Sequence, residues 1–309
     1  MTFHLGFLTH VHGEGVPAGQ LYRDLVELFV AAEELGYQSG WVAQHHLQPE
    51  HGRLPSPLVL LAAAAERTRR IHLGTAVTVL PLEDPLRLAE DAIVLDALSG
   101  GRLELGLGSG TPAADDFAVF GRDVDDRHAD YDRNLSVLTD ALSGYELSER
   151  LWESSLRPRV LADAAAAGRG LLLGVGPADA VQAGLAATYL DAGPEVPRIA
   201  AVRGIFPGPS RAAAAAQLEA DVARYRPLHV RAGWAPHEDI GVAELLRLMN
   251  VQHGKPEDIV ESLRADPVFA GPGTHLIAAV QAESSTLGQA LDRLETIATK
   301  IAPELGWRP

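Results

Sequence analysis

One stretch decides the fold of this 309-residue chain: Ile71 to Gly110, IHLGTAVTVLPLEDPLRLAEDAIVLDALSGGRLELGLGSG. It begins with a short apolar run, 71–77, whose β-branched residues predict a strand. Leu88 and Leu95, two helical turns apart, then mark the apolar stripe of a helix that two glycines end. A second apolar run, 102–107, opens into a glycine-rich loop. Strand, helix and strand in this order predict two parallel strands joined by a right-handed crossover.

The same alternation of short apolar runs and helical patterns extends along the whole chain. Eight predicted strands lie at 3–8, 39–43, 71–77, 102–107, 150–155, 170–175, 198–206 and 274–280. The segment 207–272 shows at least three helical patterns and no convincing strand, so we interpret it as the usual crossover helix plus a helical insertion. Eight such units predict a closed (β/α)8 TIM barrel in a single domain, 1–309. An open doubly wound sheet is the alternative, but its glycine-rich turn after the first strand is replaced here by a histidine-containing loop.

Composition argues against several classes of function. The formal net charge of −15 at pH 7 is unsuited to binding the phosphate backbone of a nucleic acid. The chain contains no cysteine, which excludes disulfides, thiolate metal sites and cysteine nucleophiles. No apolar run reaches the roughly 20 residues needed to cross a bilayer, and the first residues lack the pattern of a signal peptide. We therefore expect a cytoplasmic protein that binds neither nucleic acid nor membrane.

Polar side chains follow the carboxyl ends of several predicted strands, where barrel enzymes carry their active sites. They are His10, His12, Gln44, His45, His46, Thr75, Thr78, Ser109, Glu153, Ser154, Ser155 and Gln281. His10 and His12 also match the first ligands of barrel metallohydrolases, because alternate strand residues can converge on one ion. The ligands expected after later strands are incomplete, so we disfavour a metal-dependent hydrolase and predict no metal site.

The glycine-rich loop between Gly106 and Gly110 does not match a dinucleotide-binding fingerprint. The pattern G-x-G-x-x-G would need glycine at position 111, where this chain has Thr, and a helix directly after the loop. Glycines at a strand end do let a flat ring approach the backbone. We therefore expect Gly106 and Gly108 to make room for a ring-shaped ligand.

Several motifs taken together resemble the bacterial luciferase-like monooxygenases. The motifs are Trp41-x-x-Gln-His-His46, Leu73-Gly-Thr-Ala-Val77, Asp84-Pro-x-Arg87, Ser99-x-Gly-Arg102, Phe120-Gly121 and, further along, Trp152-Glu-Ser154 and Pro303-x-Leu-Gly-Trp307. The resemblance implies a (β/α)8 barrel that binds reduced FMN, or in some relatives the deazaflavin F420, at the carboxyl ends of the strands. For the FMN-dependent branch it further implies O2, a small organic substrate and a separate flavin reductase.

The resemblance also implies roles for individual residues. His45 corresponds to the histidine that performs acid–base chemistry near the flavin, and a side chain that titrates near neutral pH suits that role. The Ala76–Val77 peptide corresponds to a non-proline cis bond beneath the flavin ring. The cofactor-binding set that we predict is Gln44, Thr75, Ala76, Val77, Gly106, Gly108, Ser109, Arg127, Glu153, Ser154 and Ser155. Within this set, the resemblance implies that Glu153, Ser154 and Ser155 lie near the ribityl chain and the phosphate, and that Arg127 lies near the phosphate.

The chain also departs from the family pattern. Relatives often carry Arg where this chain has Ser109, and Arg157 or Arg159 is the candidate replacement for that phosphate partner. Three functions stay open: a monooxygenase that uses reduced FMN, an F420-dependent oxidoreductase that transfers hydride, and a non-catalytic flavin-binding or structural subunit. Substrate identity depends on the variable loops, 111–126 and 207–272, and is not predicted.

We expect a homodimer. Relatives dimerise through their second and third helices, and the predicted second helix, 58–68, carries four consecutive alanines. Small side chains allow two helices to approach closely.

Overall fold

The computed structural model describes residues 2–13, 15–47, 52–111, 116–176, 178–282 and 284–309. The strands are β1 His4–Thr9, β2 Ser39–Val42, β3 His72–Thr75, β4 Thr78–Val79, β5 Leu103–Gly108, β6 Leu151–Ser154, β7 Gly170–Leu173, β8 Ile199–Pro207, β9 Val251–Gly254 and β10 His275–Ala279. The helices are α1 Ala18–Glu34, α2 Pro57–Arg67, α3 Pro85–Ser99, α4 Asp116–Val119, α5 Arg127–Ala141, α6 Pro158–Ala166, α7 Asp179–Asp191, α8 Arg211–Arg231, α9 Val242–Leu248, α10 Pro256–Ala265 and α11 Leu287–Thr296.

The main strands form a closed parallel barrel. β1, β2, β3, β5, β6, β7 and β8 follow one another around the sheet, and β10 pairs with both β8 and β1 to close it. The short strand β4 continues beyond β3 and pairs with β5 through Thr78↔Leu107 and Val79↔Gly108. The predicted (β/α)8 barrel is therefore confirmed. The assignment of the whole chain to one domain stays a prediction.

The strand–helix–strand segment 71–110, on which the fold prediction was based, folds as its sequence indicates. Asp84 caps α3, because its carboxylate accepts hydrogen bonds from the backbone amides of Leu86 and Arg87 at 3.0 and 2.9 Å. Pro85 occupies the first turn, where its missing N–H costs nothing. Gly100 ends the helix at φ 73°, a conformation that glycine adopts without strain. Local sequence signals therefore set both ends of α3.

Two apolar layers explain why the strands are almost continuously hydrophobic. Inside the barrel, Trp41 and Trp152 pack with small and branched residues of other strands, and their rings meet edge to face at 5.6 Å between centroids. Outside, residues of the opposite parity join the helices in the larger core. Since each barrel strand is buried on both faces, both sets of side chains are apolar.

The prediction that segment 207–272 contains no strand is wrong. β9 lies in this segment and pairs in parallel with β8, from Gly204↔Val251 to Pro207↔Gly254. β7 contacts β8 only as far as Ala201, so the rest of that edge of β8 is open to a second partner. The sequence Val-Gln-His-Gly carries no alternation of its own. Pairing along this edge of β8, and not local pattern, makes β9 a strand.

A group of histidines lies at the amino-terminal end of the barrel, opposite to the predicted site. The rings of His4 and His275 stack at 4.6 Å, and Nδ1 of His72 lies 2.9 Å from Oε1 of Glu104. Burial lowers the pKa of His275 to about 3, and the neighbouring His4 and Arg198 act in the same direction. His275 is therefore neutral in the folded protein at neutral pH.

We expect the free energy of unfolding to fall as the pH drops below about 6.5, the ordinary pKa of histidine. Unfolded chain binds a proton on His275 that the folded protein excludes, which costs about 1.4 kcal/mol per pH unit until the folded pKa is reached. Urea unfolding between pH 7 and pH 4 measures this slope. His275→Phe keeps a ring against His4 and removes the titration, so its slope should be smaller by about one proton. Equal slopes for the native protein and for His275→Phe would contradict the lowered pKa of His275.

Candidate functional site

A cavity of about 340 Å³ opens at the carboxyl ends of the strands. Its wall contains four of the predicted site residues: Gln44, His45, Ala76 and Val77. The other eight lie outside that wall: Thr75, Gly106, Gly108, Ser109, Arg127, Glu153, Ser154 and Ser155. The structure therefore separates the predicted set into a cavity group and a group behind or beside it.

The Ala76–Val77 peptide is cis, as predicted. It lies between β3 and β4, and both side chains are half-buried at the cavity. The amide of Ala76 donates to the carbonyl of Val42 at 2.8 Å, and the carbonyl of Val77 accepts from the amide of Gln44 at 3.3 Å. These bonds attach the cis segment to the end of β2, directly beside His45.

The side chain of Gln44 holds this wall together. Its Oε1 accepts from the amide of Val79 at 2.7 Å, and its Nε2 donates to Glu83 Oε1 at 2.7 Å and to the carbonyl of Pro55 at 3.1 Å. Both ends of the amide are thus engaged with protein groups. Gln44 contributes to the site by positioning the backbone around the cis peptide.

His45 stands at one end of a row of aromatic rings. The His10 ring lies 5.3 Å from the His45 ring and 5.8 Å from the His12 ring, measured between centroids. The hydroxyl of Tyr225, on α8, lies 2.9 Å from Nε2 of His12. His45, His10, His12 and Tyr225 therefore form one continuous row of polar rings.

The reason given above for Gly106 and Gly108 is wrong. A Cβ at Gly106 would collide with the carbonyl oxygen of Thr75, and one at Gly108 would lie 2.6 Å from Cγ2 of Val77. Thr75 also bonds both backbone groups of Gly106, at 2.8 and 2.9 Å. The chain itself fills the space that we had assigned to a ring-shaped ligand. The two glycines allow the cis segment to pack against β5.

Glu153 faces away from the cavity. Its neighbour Trp152 points into the barrel, so Glu153 points outward, where it is fully buried. Its Oε1 lies 2.9 Å from Nε of Arg169, and its other oxygen accepts from the hydroxyl of Tyr131. Burial raises the pKa of Glu153, while Arg169 opposes that shift. This carboxylate ties β6 to α5 and to the loop before β7.

A cationic group lies at the start of α5 and after β6. Burial lowers the pKa of His128, and the nearby guanidinium groups of Arg127 and Arg157 lower it further. Ser155 adjoins the group, since its Oγ accepts from the amide of Arg157 at 3.1 Å. Within the described residues, Nε of Arg127 and Nδ1 of His128 are buried without a hydrogen-bond partner. Of the two, the Arg127 guanidinium is a charged donor and suits an anion.

Arg157 and Arg159, the two candidate replacements for an arginine at position 109, both contact one carboxylate. Ser109 itself is half-buried after β5. Arg157 donates two hydrogen bonds to Asp132, at 2.7 and 3.0 Å, and Arg159 shares the same carboxylate at 3.4 Å. Asp132 therefore neutralises part of the charge that either arginine would bring to a phosphate.

Sequence analysis missed the part of the wall that α8 supplies. Its cavity-lining residues include Leu218, Val222, Tyr225 and His229. Their spacing of four, three and four residues is that of one helix face. This stripe was readable in the sequence, but nothing local indicated that it would cover the mouth of the barrel.

Within the described ranges, no three side chains of His, Cys, Asp or Glu lie where they could hold a metal ion together. His12, which the sequence analysis compared with a metal ligand, has its Nε2 against the Tyr225 hydroxyl. The same part of the chain has no helix that is both long and apolar enough to cross a membrane.

Known proteins match this chain in sequence. It is 40% identical over 141 residues to 4-hydroxyprotoasukamycin monooxygenase of Streptomyces nodosus subsp. asukaensis, which covers 45% of this chain and 37% of that protein. It is 42% identical over 104 residues to F420-dependent glucose-6-phosphate dehydrogenase of Amycolatopsis mediterranei, which covers 33% of this chain and 31% of that protein. Each match thus spans less than half the length of the relative.

The fold is similar to that of the oxygenating constituent of 3,6-diketocamphane monooxygenase from Pseudomonas putida, solved in complex with FMN. The TM-score is 0.78 at 17% identity, with 98% of each chain covered, and a likeness at this identity shows the fold alone. A family model described as luciferase-like monooxygenase matches residues 1–276. With most of its length matched by that model, the chain belongs to the luciferase-like monooxygenase family.

Proposed function

We propose that the protein is a flavin-dependent monooxygenase that uses reduced FMN and O2 to oxidise a small organic substrate. The observation that carries the proposal is the largely apolar cavity at the carboxyl ends of the strands, whose wall brings Ala76 and Val77 together with His45. A half-buried stretch of backbone with aliphatic side chains is a surface on which a flat heteroaromatic ring can lie. FMN, when bound, would supply the redox chemistry that no amino-acid side chain provides.

The residues of the cavity have separable tasks in this proposal. Ala76 and Val77 would contact the flavin when it is bound, and Gln44 holds their backbone in place through Val79 and Glu83. His45 accepts or returns a proton on an imidazole nitrogen beside the ring. The apolar side chains of the wall exclude water from the reacting atoms.

The donors beside the cavity fit the phosphate of FMN. Arg127 and His128 offer buried nitrogen atoms without partners among the described residues, and Ser154 and Ser155 offer hydroxyls at the end of β6. A phosphate dianion binds best to charge-assisted donors, and the Arg127 guanidinium is one, whereas burial lowers the pKa of His128 and so favours its uncharged ring. Asp132 lies in the same group and weakens its net charge, so we expect the phosphate to add modestly to affinity.

Calorimetric titration with FMN, riboflavin and F420 tests the choice of cofactor. We expect FMN to bind about tenfold more tightly than riboflavin, because one charged hydrogen bond contributes about 1.5 kcal/mol. Arg127→Gln should shrink that ratio and leave riboflavin binding unchanged. Arg23→Gln, on the exposed surface of α1, is the matched control and should leave the ratio unaltered.

The same titration separates the alternatives. Binding of F420 without binding of FMN would favour a hydride-transferring oxidoreductase, the class to which the relative from Amycolatopsis mediterranei belongs by name. Binding of neither cofactor would favour a structural subunit. We also propose that a separate flavin reductase supplies the reduced FMN. Oxygen uptake that requires both FMN and an added flavin reductase would support this partner.

We propose a homodimer that forms through α2 and α3. Large apolar side chains on these helices are exposed: Val59 by 74%, Leu86 by 57%, Val94 by 58% and Leu98 by 60%. Exposed apolar residues grouped on adjacent helices are typical of a protein–protein interface.

The double variant Val94→Glu and Leu98→Glu is expected to be monomeric, because two carboxylates one turn apart would be buried in the interface without partners. Light scattering after size-exclusion chromatography measures the mass. Val181→Glu, on α7, introduces the same charge at a side chain that is 50% exposed and should leave the dimer intact. A monomeric native protein, or a dimeric double variant, would contradict the assignment.

A further inference from the structure

The half of the cavity that α8 and α9 line is largely apolar within the described residues. Phe206, Leu218, Val222, Leu246 and Met249 pack in one cluster and line this half. Such a surface favours a ligand whose bulk is hydrocarbon or aromatic.

The charged side chains of the wall are acidic. Asp116 and Asp221 line the cavity, and no Lys or Arg does so within the described ranges. The carboxylate of Asp221 accepts from the amide of Ser284 at 3.0 Å and from its hydroxyl at 2.6 Å. Two arginines lie behind the wall, Arg224 at 3.8 Å from the Asp221 carboxylate and Arg293 over the Phe206 ring at 4.7 Å. Because no described Lys or Arg lines the wall itself, the cavity surface favours an uncharged ligand over an anion.

His229 supplies the polar feature on which the inference rests. The side chain lies on α8, lines the cavity and is only 3% exposed. Its Nδ1 lies 3.0 Å from the carbonyl oxygen of Tyr225. A carbonyl oxygen only accepts, so Nδ1 must carry the hydrogen and donate. The tautomer of His229 is therefore fixed by the helix itself.

The second nitrogen of His229 is consequently an acceptor. Burial lowers the pKa of His229, and the bond to the Tyr225 carbonyl only partly opposes that shift, so the ring is neutral at neutral pH. Nε2 then presents a lone pair, and it is buried with no hydrogen-bond partner among the described residues. The Trp234 ring packs edge-on against the imidazole at 5.4 Å. A buried acceptor of this kind is stabilised when a donor reaches it.

We infer that the substrate is an uncharged, largely apolar molecule with a hydroxyl or N–H group, and that this group donates to Nε2 of His229. The identification of this ligand as the substrate rests on the proposed monooxygenase function. The binding preference does not, because it follows from the wall of the cavity alone. His229 is then the residue that determines specificity.

Three matched probes test the inference on the native, flavin-free chain: 4-ethylphenol, 4-ethylanisole and 4-ethylbenzoate, titrated by calorimetry. We expect the phenol to bind about tenfold more tightly than its methyl ether, the effect of one buried hydrogen bond. The benzoate should bind most weakly. Equal affinities for phenol and ether, tightest binding of the benzoate, or binding of none of the three would each overturn the inference.

The variant His229→Phe keeps an aromatic ring and removes the acceptor. This variant should bind the phenol and the ether equally well, with the affinity of the native protein for the ether. The control His237→Phe, at an exposed position, should keep the preference for the phenol. A preference that survives in His229→Phe would also overturn the inference. If that variant does not fold, the three probes on the native chain still decide. FMN titration of the same proteins distinguishes the two proposals, since a chain that selects the phenol but binds no FMN would contradict only the monooxygenase function.

Discussion

Gly106→Ala is expected to lower the free energy of unfolding by about 3 kcal/mol or more, the upper range for overpacking a closed core. The added methyl group would meet the carbonyl oxygen of Thr75, which is a backbone atom at the end of β3 and has no rotamer to move into. The cis segment would have to shift, and FMN binding should weaken with it. Urea unfolding measures the stability, and calorimetry measures the affinity.

Gly184→Ala is the matched control for this change. Gly184 lies inside α7, and a Cβ there would meet no atom within 4 Å. Alanine is better than glycine in a helix interior by about 0.8–1 kcal/mol, so this variant should be more stable than the native protein. Equal stabilities of the native protein and Gly106→Ala would show that the packing of β5 against the cis segment is not needed.

His45→Gln is expected to reduce substrate oxidation by about 10²- to 10⁴-fold, the range for loss of a general acid or base. Glutamine retains hydrogen-bonding capacity but does not titrate near neutral pH. Product formation with reduced flavin and O2 measures the loss, and FMN affinity should stay unchanged because the ring is expected to rest mainly on Ala76 and Val77.

The control for the histidine variant is His237→Gln, since His237 is exposed and lies outside the cavity wall. It should retain native turnover. Full activity of His45→Gln would contradict the acid–base role. A parallel loss of FMN affinity and turnover would instead make His45 a residue that shapes the wall.

The fold could be predicted because its signals are local. Apolar runs of strand length, helical stripes between them and caps such as Asp84 and Gly100 each act within a few residues. β9 could not be predicted in this way. Its four residues pair because β8 extends beyond β7 and presents an open edge, which is a property of the assembled barrel.

Some features of the candidate site could be predicted from the sequence, and others depend on contacts that form only in the folded protein. The cis bond at Ala76–Val77 and the place of His45 came from the family resemblance, and the structure confirms the bond itself. The reason assigned to Gly106 failed because a sequence does not say which atoms will fill the space beside a glycine. The acceptor on His229 depends on a tautomer set by the Tyr225 carbonyl, which no residue pattern reveals.

The most direct test of the proposed function is a crystal structure of the protein with FMN. We predict that the isoalloxazine ring lies against the Ala76–Val77 peptide, within reach of His45, and that the phosphate lies beside Ser154 and Arg127. A ring that binds elsewhere, or a phosphate in the half of the cavity near His229, would contradict the proposed function.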